Sequence, residues 1–249
     1  MLSISLALGA ALLYAVGSAL QQRVAVEHTS TLGLLRRPRW LAGIAADVFG
    51  FLAQAAALTV GRLAVVQPLL VSTVVFALPL ERRRVARREA LAAVAVLAGL
   101  AVFVTLADPA GGHRDAAPAA WVAIFGACAV AVLGLRGGAV RIGCATGVLF
   151  GVSAALTKVV VADHTLLDWH LVALAVVGAA SLERSQASLR AGSLGIAVGA
   201  QMAFDALTSV LIGVLAFGER LHTSPPLVVA ALVALGVALG GILGLARAT

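Results

Sequence analysis

The chain has 249 residues, 61% hydrophobic and 12% charged, where ordinary soluble domains run at roughly 45–50% apolar and 25% charged. That balance excludes an ordinary soluble fold and leaves almost no sequence for a separate soluble domain. The formal net charge is +7, but the basic residues fall in short clusters between apolar runs, so they read as membrane-topology signals and no nucleic-acid partner is expected.

A membrane-crossing helix needs about 20 mostly apolar residues. In chain order, apolar runs bounded by charge or turn residues predict spans near 2–22, 40–60, 63–80, 89–107, 118–135, 140–161, 168–189, 193–216 and 226–246. The first, from Met1 to Leu20, has the length of a signal peptide with small residues Gly17, Ser18 and Ala19 near its end. It lacks a basic n-region, and its similarity to a later segment predicts that it stays in the mature chain. The seventh is the weakest: its clean run, Leu171 to Leu182, is too short to cross. It must continue through Glu183, Arg184, Ser185 and Gln186, carrying charge at depth, or be a short helix. Cys128 and Cys144 fall inside apolar segments, where they serve as small hydrophobes rather than a disulfide.

Lys and Arg favour cytoplasmic loops. With the N-terminus outside, fourteen of the eighteen basic residues fall on one side, and only Arg62, Arg114, Lys158 and Arg220 on the other. The sequence therefore predicts a multi-pass protein of the cell membrane, inner or plasma, with its C-terminus cytoplasmic. An eight-span alternative that skips the seventh run weakens the contrast.

Sliding the chain against itself by 136 residues sets Leu13–Leu20 over Leu149–Leu156, and Glu27-His28 over Asp163-His164. Trp40 and Trp169 each open the following span, and Ala56–Leu63 then matches Ala187–Leu194. The same order of features recurs, once in spans one to four and again in spans six to nine. The odd fifth span turns the second copy over. The expected fold is thus an all-α integral membrane bundle of about nine helices. It comprises a first repeat (1–107), a connecting helix with its loops (108–139) and a second, inverted repeat (140–249). Such an architecture places a binding site near the bilayer midplane, between the repeats.

Two segments carry a family resemblance: Gly61-Arg62-Leu63-Ala64-Val65-Val66-Gln67-Pro68-Leu69-Leu70 and Leu215-Ala216-Phe217-Gly218-Glu219-Arg220-Leu221. With them, the chain resembles the drug/metabolite transporter superfamily, in its EamA-like and NIPA-like branches. The resemblance implies a secondary transporter working by alternating access on a small molecule or cation. The NIPA-like branch in particular implies magnesium.

Charged groups at membrane depth are costly and usually mark a substrate path. Asp205 lies nearest mid-span, Asp47 lies seven residues into the second span, and Glu183 sits beside Arg184, with which it forms an ion pair or a solvated helix end. Gln54, Gln67 and Gln201 lie inside spans, where an amide seeks a partner on another helix. Gln201 and Asp205 are four apart and share a helix face. These seven residues are the candidate substrate or ion site, with its metal left open. Pro68 opens the third span and Gly199 lies similarly in the eighth, so either helix could be locally broken.

Gly143, Gly147 and Gly151 repeat every four residues, as do Gly236, Gly240 and Gly244. These faces suit close packing within one chain, or a homodimer seam. Lys158, at the end of span six, reads as a snorkelling anchor. Asp163, His164 and Asp168 form a weak metal signal in the loop beyond. All five histidines, His28, His113, His164, His170 and His222, fall in loops or at span edges. The sequence contains no aspartate-rich magnesium motif and no HExxH, so neither catalysis nor a cofactor is expected. A non-transporting membrane scaffold is the reading from another class.

Overall fold

A computed structural model describes residues 2–25, 34, 36–80, 109–111, 115–163, 168–192 and 194–221, with isolated positions within 87–102 and 226–240. The spans expected at 89–107 and 226–246, together with His28, His113, His164, His222 and Gly244, lie outside the described residues or among those isolated positions.

The described chain is helical: α1 (Leu2–Ala25), α2 (Pro38–Val60), α3 (Leu63–Leu70), α4 (Ser72–Ala77), α5 (Pro118–Gly134), α6 (Ala139–Asp163), α7 (Trp169–Ala191) and α8 (Leu194–Leu215). Two short strands, β1 (Pro109–Gly111) and β2 (Glu219–Leu221), pair antiparallel and tie the segment before α5 to the segment after α8. Helices α1, α2, α6 and α8 are long and apolar enough to cross a membrane. Each has 22 residues or more, and at 1.5 Å per residue that exceeds a hydrocarbon core of about 30 Å. Their outward faces carry exposed Leu12, Leu41, Phe49, Leu52 and Leu211, as fits helices bathed in lipid.

The third apolar run is not one helix. Pro68 has no amide hydrogen to donate and its ring crowds the preceding turn. The helix stops at Leu70, the Val71 amide bonds back to the Pro68 carbonyl at 3.1 Å, and the chain resumes as α4 and then a 3-10 turn at Leu78–Leu80. The break foreseen at Pro68 is therefore present, whereas α8 runs unbroken through Gly199. The seventh segment is a full 23-residue helix, α7, that continues through Glu183 to Gln186. Its polar C-terminal half keeps it out of the set apolar enough to cross, and α5, at 17 residues, falls just short in length.

Packing is dominated by α1 against α2 and α6 against α8, with α6 against α7 next. Glycine makes these contacts close. A Cβ on Gly147 would stand 2.3 Å from the Gln201 carbonyl oxygen, and one on Gly143 2.7 Å from the Ala200 Cβ. A Cβ on Gly17 would stand 2.0 Å from the Asp47 carboxylate. The Gly143-Gly147-Gly151 face is thus a seam between helices of one chain, while among the described residues nothing lies within 4 Å of a Cβ added at Gly236 or Gly240.

Candidate functional site

A cavity of about 450 Å³ lies inside the bundle, walled by α1, α2, the α3–α4 break, α6, α7 and α8. Helical spacing decides what reaches it. On α2, Ile44, Asp47, Val48, Phe51 and Gln54 recur at intervals of three and four and share one face. On α8, Gln201 and Asp205 line it together, as their spacing predicts. Most of the wall is apolar, including Phe51, Phe150, Leu174 and Met202.

The polar groups concentrate at mid-bundle. The Tyr14 hydroxyl donates to the Gln54 carbonyl oxygen at 2.6 Å, and Tyr14 lines the same cavity as Asp47 and Asp205. Asp205 is 4% exposed and accepts from the Ser209 hydroxyl at 3.2 Å. The Gln201 carbonyl oxygen faces the Ser185 hydroxyl at 3.4 Å, while its amide nitrogen has no hydrogen-bond partner among the described residues. The Thr73 and Ser153 hydroxyls, also in the wall, have none either. Buried polar atoms are almost always satisfied, so three without partners around one cavity mark a place for a ligand or ordered water.

Four of the seven candidates, Asp47, Asp205, Gln54 and Gln201, therefore meet at this cavity. Gln67 does not line it: it is fully buried one residue before the Pro68 break, and among the described residues neither end of its amide has a partner. Glu183 is on the exposed face of α7, and Arg184 turns away to donate to the Val132 carbonyl at 3.2 Å. Neither wall residue nor solvated helix end describes Arg184, which ties α7 to α5.

Two ties hold the bundle on either side of the cavity, and neither was foreseen. At the end where α1 and α7 finish, the Trp40 indole donates to Gln186 at 3.1 Å, Gln186 donates to Gln21, and Gln21 donates to Asp47. This chain of bonds joins α1, α2 and α7 and ends on a cavity carboxylate. At the opposite end, Lys158 is buried rather than snorkelling. Its ammonium pairs with Glu219 and sits 4.5 Å from the centre of the Phe217 ring. The Glu219 carboxylate also accepts from the Leu63 backbone amide at 3.2 Å, so the start of α3 and the segment after α8 meet at one carboxylate.

His170, expected at a span edge, is 3% exposed in the first turn of α7. Its Nδ1 bonds Asp168, and its Nε2 is 3.4 Å from Asp115, within ion-pair reach but without hydrogen-bond geometry. Asp115 is held by the Trp121 indole at 2.8 Å, and the rings of Trp121, Trp169 and His170 pack together. The hydrogen bond from His170 holds the Asp168 carboxyl below the usual carboxylate range. Among the described residues, no group of three His, Cys, Asp or Glu is arranged to hold a metal ion, and His164 of the weak metal signal lies outside them.

The chain is 26% identical to an uncharacterized protein of Corynebacterium glutamicum, over 88% of this chain and 86% of that protein. No family profile matches the chain, and no solved structure matches it.

Proposed function

We propose that this chain is a secondary-type transporter of the cell membrane that moves a small solute by alternating access. It crosses the bilayer about nine times, with its N-terminus outside and its C-terminus cytoplasmic. Its halves, residues 1–107 and 140–249, are inverted repeats linked by 108–139. The reading draws on the 136-residue offset in the sequence and on the recurrence of packing: α1 lies against α2 and the broken α3–α4 as α6 lies against α7 and α8.

The observation that carries the proposal is the placing of the two ties. Alternating access requires a midplane site flanked by contacts that break in turn, one on each side. The Trp40–Gln186–Gln21–Asp47 chain joins the halves at one end, and Lys158–Glu219 with the Leu63 amide joins them at the other, with the cavity between. The mostly apolar wall favours an organic solute over a hydrated divalent cation such as magnesium, which keeps its waters and seeks oxygen ligands.

The test is a thermal-stability screen of the purified chain against metabolites, amines and divalent cations, repeated with Asp205→Asn, followed by counterflow of any stabilising compound in proteoliposomes. A ligand of the native state raises the midpoint by mass action. Transport is supported by a compound that stabilises the wild type, loses its effect in Asp205→Asn and exchanges across the vesicle. Stabilisation without exchange supports the scaffold reading.

A further inference from the structure

We infer that the solute is an organic amine: an ammonium seated among Asp47 and Asp205, an apolar body against the aromatic wall, and an oxygen acceptor facing Gln201. The inference takes the cavity as the site named above, yet it concerns binding alone and can be tested apart from transport.

Two carboxylates line the cavity, one from α2 and one from α8, and no Lys, Arg or His is among its lining residues. A carboxylate can accept about four hydrogen bonds. Asp205, at 4% exposure, receives the Ser209 hydroxyl at 3.2 Å, and Asp47 receives the Gln21 amide. Buried charge with so few donors is costly unless an opposite charge joins it. A cation supplies the partner these carboxylates lack, and an anion finds no basic group among the described lining residues.

Shape and lining select the kind of cation. About 450 Å³ falls within the range of pockets that enclose one organic molecule, roughly 300–1,000 Å³. Phe51, Phe150 and Tyr14 line the same cavity as the acids, and aromatic side chains suit an alkylated or primary ammonium through cation–π attraction as well as apolar contact. An inorganic ion would leave this surface uncovered. The unpartnered groups then refine the ligand. Gln201 is 2% exposed and its amide nitrogen, a donor four residues from Asp205, has no partner among the described residues, nor does the Thr73 hydroxyl at 0% exposure. A hydroxyl or carbonyl oxygen a few bonds from the ammonium would satisfy the Gln201 donor. The amino alcohol is therefore the best-fitting simple ligand.

The experiment measures binding to the purified full chain by calorimetry and thermal shift with five probes: phenethylamine, 2-amino-1-phenylethanol, 2-phenylethanol, 3-phenylpropanoate and magnesium chloride. Both amines should bind, the amino alcohol more tightly, with the neutral alcohol weaker by about tenfold or more and the carboxylate silent. Asp205→Asn should cost the amines about tenfold or more, and its own tryptophan-fluorescence melting curve shows whether the variant is folded. Gln201→Leu should erase the advantage of the amino alcohol over phenethylamine. The wild-type series stands by itself if either variant fails to fold. The inference is overturned if the neutral or anionic analogue binds as well as the amine, if magnesium alone stabilises the chain, or if neither amine binds at millimolar concentration. Amine binding without exchange in vesicles would uphold the inference and remove the transport reading.

Discussion

Replacing Lys158 by Met keeps the length of the side chain and removes its ammonium, while the Glu219 carboxylate remains buried. The two side chains are 10% and 0% exposed, so solvent does little to replace the lost charge. Removing one partner of a buried pair costs about 3–5 kcal/mol, and the lower figure applies because the Leu63 amide still donates to Glu219. At about 2–4 °C per kcal/mol for a chain of this size, Lys158→Met should lower the thermal midpoint by about 6–12 °C. Glu219→Gln should act similarly by stranding the ammonium. The double variant, with both charges gone, should recover a large part of the loss, since the pair's net contribution is smaller than the penalty for breaking it. Thermal unfolding of the four proteins in one detergent, followed by tryptophan fluorescence, closes the cycle. A drop of less than about 2 °C for Lys158→Met, or a double variant that loses the sum of the single losses, would refute the buried-pair reasoning.

Gly147→Ala should cost about 1–3 kcal/mol by forcing α6 off the Gln201 carbonyl, whereas Gly9→Ala, with open space around it, should be neutral or slightly stabilising; paired melting curves check both. Gln186→Leu should destabilise by about 2 kcal/mol or more in the same assay, because it strands the buried Gln21 amide and the Trp40 indole. Asp168 has a lowered carboxyl pKa in the fold, from the His170 hydrogen bond first and then the Trp169 amide. Its stabilisation is therefore full above the ordinary value of about 3.9 and is lost as pH falls through the lowered one. Melting curves from pH 6 down to acid should show that loss in the wild type and not in Asp168→Asn.

The long apolar runs of α1, α2, α6 and α8 were legible because span length is fixed by bilayer thickness and needs no tertiary information. The pairing of Gln201 with Asp205 was legible for a similar reason, since helical geometry alone puts positions four apart on one face. Contacts between distant residues were not. Lys158 and Glu219 are 61 residues apart, and a lysine at the end of an apolar run looks the same whether it snorkels or turns inward. Gln21 and Gln186 stand near the ends of their helices, where sequence alone gives no partner for an amide, yet there they carry the tie to Asp47. Glu183 and Arg184 drew notice by charge in an apolar stretch, but charge cannot tell which face of α7 looks outward. His170 was read as peripheral from its place beside a loop, whereas the Trp121 and Trp169 rings enclose it.

Alternating access requires the central cavity to open in turn to both sides of the membrane. In a background with Cys128 and Cys144 replaced by Ala, a cysteine at the cavity-lining Ser153 should be probed with a membrane-impermeant thiol reagent, applied first to intact cells and then to inside-out vesicles. Alternating access predicts labelling from both faces, with each rate raised when the tie on that face is broken by Lys158→Met or Gln186→Leu. Labelling from one face only, unchanged by either substitution, would contradict it.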